Sequence, residues 1–311
     1  MNTLLNKKKE PIDRLAESSA KGHSLGGEAL RRMLRSPVAI TGAVITGLFI
    51  LVAILAPFIA PKDPYERYLQ SEVILGQGII PGAQAGFPLG VDDFGRDYLS
   101  RLLVGAQNTL LVGVLATIIG VVVGMIIGGL AGAFGGWVDT VLMRLVDVML
   151  SVPSLLLAIS VAALFQKPSQ WTVIVAVSMV GVPIFARLLR GSMLAQRSSD
   201  HVLAATSLGV KRGSIVLRHM LPNSLGPVIV QATLTLATAI LEAAALSFLG
   251  LGDPDPNRAE WGIMLSRSAR QFLDIRPELA YYPAIAIIIV ALGFTLLGES
   301  LREALDPKNR R

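Results

Sequence analysis

The sequence contains no cysteine, and only 16% of its 311 residues are charged. Without cysteine the chain can form no disulfide, no cysteine-bound metal site and no catalytic thiol. Soluble domains carry roughly 25% charged residues. The shortage of charge, together with a hydrophobic fraction of 52%, indicates an integral membrane protein.

Several sequence motifs that would indicate catalysis are also missing. There is no G-x-x-x-x-G-K-[ST] phosphate-binding loop and no H-E-x-x-H motif, and no G-x-S-x-G motif lies in an apolar segment where it would suggest an intramembrane hydrolase. The three histidines, His23, His201 and His219, are too scattered to suggest a metal site. The net charge is +6, but no nucleic-acid-binding motif accompanies it. We therefore predict a non-catalytic chain that binds no metal, cofactor or nucleic acid itself.

Long apolar runs are the dominant feature of the sequence. A membrane-spanning helix needs about 20 mostly apolar residues, and six segments qualify. A polar arm rich in lysine and arginine, residues 1–36, precedes them. The sequence thus predicts an all-α integral membrane fold with a six-helix transmembrane domain over 37–311. The predicted spans are 38–60, 107–133, 140–165, 171–190, 228–249 and 281–300.

The distribution of lysine and arginine predicts the orientation. If the N-terminus is cytoplasmic, the cytoplasmic parts hold 19 of the 28 basic residues and the external parts hold 9. Cytoplasmic loops carry the excess of basic residues. We therefore expect both termini in the cytoplasm, external loops at 61–106 and 250–280, and a cytoplasmic loop at 191–227. The sequence therefore predicts membrane lipid as one partner of the chain.

Small residues recur at every fourth position of the second span. On a helix, residues four apart lie on one face, and such stripes let another helix approach closely in lipid. We favour packing within the chain, and the alternative is contact with another subunit. The stripe consists of Gly120, Gly124, Gly128 and Gly132.

A few residues inside the spans are unusual for a lipid environment. Glu242 is costly there unless it faces the bundle interior or water; it either lines a pathway and attracts an ammonium group, or makes a structural hydrogen bond. Arg144 and Asp147, three residues apart, suggest an ion pair within one helix. Pro153 and Pro183 predict hinges or static kinks in the third and fourth spans.

Residues 204–222, called the insert below, form a polar and basic stretch between two apolar spans. The pattern predicts a short helix over 204–208, a helix end at Gly209 with a positive φ angle, and a second helix that stops at Pro222. Helices that dock into a partner's groove have this form. The alternative is a connecting loop that only obeys the orientation rule.

The insert resembles a known signature. Ala204-Ala205-x-x-x-Gly209, followed by His219-Met220-Leu221-Pro222, is similar to the cytoplasmic loop of permease subunits of binding-protein-dependent ABC importers. In that family the loop forms a coupling helix that seats in a cleft of the ATPase subunit. Leu203 stands where the family usually has glutamate. The resemblance implies an ATPase-coupling role for Ala204, Ala205, Gly209, Ile215, Arg218, His219, Leu221 and Pro222.

Two further stretches resemble the dipeptide/oligopeptide branch of these importers. The first is PLGVDDFGRDYLSR at 88–101, and the second is EAAALSFLGLG at 242–252 followed by WGIML at 261–265. Phe87 and Val91 depart from the family's usual histidine and threonine. The linker 253–260 is more charged than the family's double-proline form. The resemblance extends over about 30–308 of the chain.

The resemblance implies a type I ABC importer permease in a bacterial cytoplasmic (inner) membrane. Such a subunit supplies half of a pathway and pairs with a homologous second permease. Two ATP-binding subunits would carry ATP and magnesium, and an external substrate-binding protein would deliver a dipeptide or oligopeptide. Nickel chelates, glutathione or another small solute remain alternative cargos. A secondary transporter is disfavoured, because such proteins need titratable groups in the membrane.

Overall fold

The computed structural model describes residues 25–305, and within that range it is helical with only isolated β-bridges between its loops. The predicted all-α class is confirmed. The helices are α1 (Leu25–Met33), α2 (Pro37–Ile59), α3 (Tyr98–Phe134), α4 (Gly136–Ser151), α5 (Ser154–Ala163), α6 (Gln170–Gln196), α7 (Asp200–Ser207), α8 (Arg212–Ile215), α9 (Leu221–Asn223), α10 (Leu225–Phe248), α11 (Trp261–Gln271) and α12 (Glu278–Leu305).

The helices cross between two ends of one bundle. Helix α3 starts at Tyr98 and ends at Phe134, whose carbonyl oxygen accepts a hydrogen bond from Arg212 of the insert. We call this side the insert end and the opposite side the far end. Helix α6 starts at the far end, where Gln170 contacts Arg258. The chain therefore also crosses between α3 and α6, which makes six crossings.

The third crossing is broken. Between residues 25 and 305, five single helices are long and apolar enough to span a membrane, whereas α4 and α5 do so only as a pair bent by 99°. The span predicted over 140–165 is therefore two helices, and the hinge or kink predicted at Pro153 is a full break between them. Pro153 has no N–H group and ends α4, and its carbonyl oxygen accepts the Leu157 N–H that begins α5. Pro183, in contrast, lies inside the unbroken α6.

The glycine stripe of α3 packs against α6 of the same chain. A Cβ atom added at Gly124 would lie 2.6 Å from the Phe185 Cβ atom and from the Val182 carbonyl oxygen. Gly120 meets Ser178 and Gly132 meets Met193 in the same way. The favoured prediction of packing within the chain is confirmed. Small side chains let the two backbones touch, which is how helices associate without a hydrophobic driving force in lipid.

Both ends of the bundle are more ordered than the sequence predicted. Residues 25–33 of the polar arm, where the sequence predicted no helix, form α1, which contacts α12; residues 1–24 lie outside the described range. At the far end, α3 begins at Tyr98, nine residues before the predicted start, because the Asp97 carboxylate accepts the Ser100 N–H as a helix cap (2.8 Å). Helix α11 lies within the predicted loop 250–280 and buries Trp261.

Candidate functional site

The first half of the insert is a helix closed by glycine. Helix α7 contains Leu203 and ends at Ser207. Gly209 lies two residues further on, with a φ of 72°. The Val210 N–H bonds to the Ala205 carbonyl oxygen and the Gly209 N–H bonds to that of Thr206. This is the Schellman arrangement, which favours glycine at the left-handed position. The predicted role of Gly209 as a helix end is confirmed, although α7 starts at Asp200 rather than at 204.

Two arginines fasten the insert region to the end of α3. Arg212 donates to the carbonyl oxygens of Ala133 (2.7 Å) and Phe134 (3.0 Å). Arg197 donates to the Gly132 carbonyl oxygen at 2.7 Å. The last carbonyl groups of a helix lack partners within the helix and carry partial negative charge, so cations bind there favourably. The insert is thus held to the bundle by the backbone of α3.

The second half of the insert continues toward α10 without the predicted stop. Residues 216–220 form a π-helical turn in which the Leu221 N–H bonds to the Val216 carbonyl oxygen five residues back. The prediction that the helix ends at Pro222 is wrong, because the wider turn precedes the proline, which lacks an N–H group. The Asn223 side chain donates to the His219 carbonyl oxygen at 2.6 Å. Only the Ser224 turn then separates α9 from α10.

The predicted coupling residues divide into a buried and an exposed group. Ala205 and Ile215 are buried in a cluster with Phe185, Leu189 and Met193, so they attach the insert to the bundle. His219 and Leu221 are half-buried. Ala204, Gly209, Arg218 and Pro222 are exposed.

Two exposed leucines lie at the beginning of the insert, among its polar and basic side chains. Leu208 is 83% exposed and Leu203 is 53% exposed. The sequence interpretation treated Leu203 only as a missing glutamate and did not single out Leu208. Both leucines precede Gly209, with Leu203 inside α7 and Leu208 at its end. We call these two residues the apolar knob, and such residues are typical of a partner's contact surface. His219 lies 6.5 Å from His201 between ring centres, and the described residues contain no cluster that could hold a metal ion.

At the far end, the two stretches 88–101 and 253–261 join through buried charges. The Asp92 carboxylate accepts hydrogen bonds from the Arg96 Nε atom (2.8 Å) and lies 3.2 Å from the Arg101 Nε atom. Arg96 also donates to the Pro256 carbonyl oxygen, and Arg101 donates to that of Arg258. The arginines therefore bridge parts of the chain that are far apart in sequence. The sequence interpretation did not predict this network, since it compared each stretch with the family separately.

Two acids of the far end, both outside the membrane spans, hold their protons more strongly than usual. Burial raises the pKa of Glu260 to about 7, although the Ser247 hydroxyl donates to its carboxylate at 3.0 Å. Burial and the neighbouring Asp92 raise the pKa of Asp93, against the opposing effect of Arg267. The Arg267 Nε atom lies 2.9 Å from the Asp93 carboxylate.

Ionisable groups inside the spans sit on three helices. Glu242 of α10 is partly buried and lies beside Ser154 at the start of α5. Asp147 of α4 forms an ion pair with Arg187 of α6, so the predicted pairing of Asp147 with Arg144 is wrong. A helix-spacing rule cannot reveal a partner on another helix. A second pair, Asp139–Arg190, links the same two helices.

The fold and this site define a class of protein. Within the described residues, a bundle with six apolar crossings and a helical insert fixed to one end is a multi-pass membrane protein. Residues 120–311 match the family described as binding-protein-dependent transport system inner membrane component. Residues 24–75 match the N-terminal transmembrane domain of oligopeptide transport permease C. The chain belongs to this family of ABC importer permeases.

Similar proteins support the same family. The chain is 43% identical over 281 residues to the dipeptide transport system permease protein of Alkalihalophilus pseudofirmus, covering 90% of this chain and 89% of that protein. It is 44% identical over 281 residues to the glutathione transport system permease protein of Escherichia coli, covering 90% of each. The inward-facing methionine ABC transporter MetNI shares the fold, with a TM-score of 0.53, 18% identity, and coverage of 66% of this chain and 96% of that chain.

Proposed function

We propose that this chain is one permease subunit of an ATP-driven importer of peptides. The observation that carries the proposal is the insert: it is anchored to α3 through Arg212, is nearly continuous with α10, and exposes an apolar knob. A chain without a phosphate-binding loop needs a partner that holds ATP. The insert is the surface suited to such a partner.

The proposed assembly contains a homologous second permease, two ATP-binding subunits that carry ATP and magnesium, and an external substrate-binding protein. The excess of lysine and arginine supports a cytoplasmic insert end, in a bacterial inner membrane. Closure of the ATPases on ATP would displace the insert. That displacement would reach the spans through α10 and through the Arg212 contact with α3. Coupling of this kind links two sites through a shared conformational equilibrium, and this chain performs no catalysis itself.

A peptide is the cargo that the relatives favour. One relative at 43% identity is named for dipeptide transport and one at 44% for glutathione, which is itself a tripeptide. Both cargos carry an ammonium group and carboxylates. A nickel chelate or another small solute is the alternative cargo. A binding assay on the substrate-binding protein would decide which of these molecules is delivered.

Glu242 is the residue that we propose for the pathway. It lies on α10, the helix that follows the insert, and next to the break between α4 and α5. An acid at this depth is costly in lipid and is therefore expected to face water or the bundle interior. Replacement by glutamine should slow import of cationic peptides more than import of neutral ones. Unchanged rates for both, at normal expression, would assign Glu242 a structural role.

Assembly with an ATPase tests the proposal. Co-expression with the ATP-binding subunits of the proposed importer, followed by affinity purification of this chain, should retain those subunits. Replacement of Leu208 by glutamate should release them, because it places a charge on the exposed knob of the insert. The matched control is Leu164→Glu at the end of α5, which is also about four-fifths exposed (81%) but lies outside the insert. Retention of the ATPases by the Leu208→Glu variant would contradict the docking role of the knob.

A further inference from the structure

An ion pair inside the spans is open on one side. The Arg187 guanidinium lies 2.5 Å from the Asp147 carboxylate, and the two side chains are 56% and 51% exposed. The neighbouring pair of Arg190 and Asp139 is more enclosed, at 34% and 18%. The Asp147–Arg187 pair therefore presents both of its charges at the surface of this chain.

The pair lies within two of the predicted spans, away from the insert end of the bundle. Helix α4 starts at Gly136 at the insert end, so Asp147 is about 16 Å along its axis at 1.5 Å per residue. Arg187 is about 14 Å from the end of α6 at Gln196. The hydrocarbon core of a bilayer is about 30 Å thick. Charged side chains at such a depth face a protein interior or a water-filled cavity, not lipid.

The helix break points to water on the same side. Ser151 lies one turn beyond Asp147 on the same face of α4, and it is followed by the break at Val152 and Pro153, where the side chains are exposed. Non-helical backbone at membrane depth is tolerated only where it is covered by protein or lines a water-filled space. A water-filled space on this side of α4 would explain both the exposed ion pair and the exposed helix break.

The space in front of the pair is open. Gly191 lies one turn from Arg187 on α6, and a Cβ atom added there would meet nothing within 4 Å. On the other side of the break, Glu242 lies beside Ser154, the first residue of α5. Two acids and one arginine, from three helices, therefore lie around the point where the third crossing changes direction.

We propose that the Asp147–Arg187 pair binds the two charged ends of a zwitterionic substrate in the translocation pathway. The Asp147 carboxylate takes the substrate's ammonium group. The Arg187 guanidinium takes its carboxylate, for which its planar fork gives bidentate hydrogen bonds. In the empty pathway the two side chains neutralise each other. The inference rests on the proposed import function and narrows its cargo to molecules that carry both charges.

Thiol labelling tests whether the pair faces water. Because the chain has no cysteine, Ser151→Cys gives a single thiol on the face of Asp147. Leu145→Cys is the matched control, because Leu145 is 55% exposed but points to another side of α4. In the reconstituted, nucleotide-free complex, a membrane-impermeant thiol reagent should modify Ser151→Cys at least ten times faster, read from the mass of this chain. Equal rates, or an unreactive Ser151→Cys, would mean lipid or a partner subunit covers the face and would overturn the proposal.

Protection from labelling tests recognition of the zwitterion. A dipeptide added directly to the Ser151→Cys complex should slow labelling, and its N-acetylated form should protect at least ten times less well. Asp147→Asn or Arg187→Gln should raise the dipeptide concentration for half-protection at least tenfold, whereas Asp139→Asn should not. Equal protection in all variants would leave the pair purely structural. Uptake by the wild-type complex tests the import function separately, so the two failures are distinguishable.

Discussion

Gly128 of α3 lies directly against the carbonyl group of Ala186 on α6, with no room for a side chain between the two backbones. The other glycines of the stripe meet α6 in the same way. This contact fixes the separation between α3 and α6. The end of α3 accepts the hydrogen bonds of Arg212 from the insert, and α6 carries Arg187.

Enlargement of Gly128 should therefore separate α3 from α6. We expect Gly128→Leu to reduce the yield of monodisperse protein in detergent severely, because overpacking of a close helix contact costs roughly 1–3 kcal/mol or more. Gly129→Ala is the control, since an added Cβ would only meet Leu189 at 3.8 Å. Thermal unfolding should show a lower midpoint for Gly128→Leu alone. Similar midpoints for both variants would contradict the described packing.

The buried Asp92–Arg96 pair should be a major determinant of far-end stability. Arg96→Ala leaves the Asp92 carboxylate without its closest cation, and such a loss in a buried pair costs roughly 3–5 kcal/mol. Arg302→Ala is the control, because Arg302 and Glu299 are largely exposed and 4.0 Å apart, and exposed pairs contribute about 0–1 kcal/mol. Thermal unfolding of the two variants should differ clearly. Equal stabilities would show that the network is solvated.

The sequence predicted local and periodic features well. Four-residue glycine spacing led to the α3–α6 contact, and the glycine after the first short helix of the insert led to the φ of 72° at Gly209. It failed where partners are distant in sequence. Arg187 as the partner of Asp147, and Pro256 as the acceptor for Arg96, depend on how the helices are arranged. Proline shows a further limit, because Pro153 bends its span as predicted whereas the helix continues through Pro222, where the sequence predicted an end.

Titration of Glu260 should make the stability of the protein depend on pH. An acid whose folded-state pKa is raised keeps its proton after the unfolded chain has released it, so stability falls as pH rises from about 4.5 to about 7 and then levels off. A shift of this size corresponds to about 3 kcal/mol. Glu260→Gln should flatten the decline in the unfolding midpoint, with a remainder from Asp93, whose pKa is raised in the same direction. An unchanged slope would exclude Glu260 as its source.

Gly209 should be sensitive to bulk. Its positive φ disfavours most side chains, whereas asparagine tolerates this conformation. We expect Gly209→Arg to insert normally in the membrane but to lose ATPase binding or to uncouple ATP hydrolysis from import, and Gly209→Asn to retain most import. The measurement is peptide uptake together with ATPase activity in the same vesicles. Normal transport by Gly209→Arg would refute the docking role of this turn.

The energy source of import tests the central claim most directly. Proteoliposomes should contain this chain, its second permease and the ATPase subunits, with the binding protein and a labelled dipeptide on the external side. The account predicts uptake that requires ATP on the insert side and stops when the ATPases are omitted. Uptake that persists without the ATPases and follows an imposed proton gradient would contradict it.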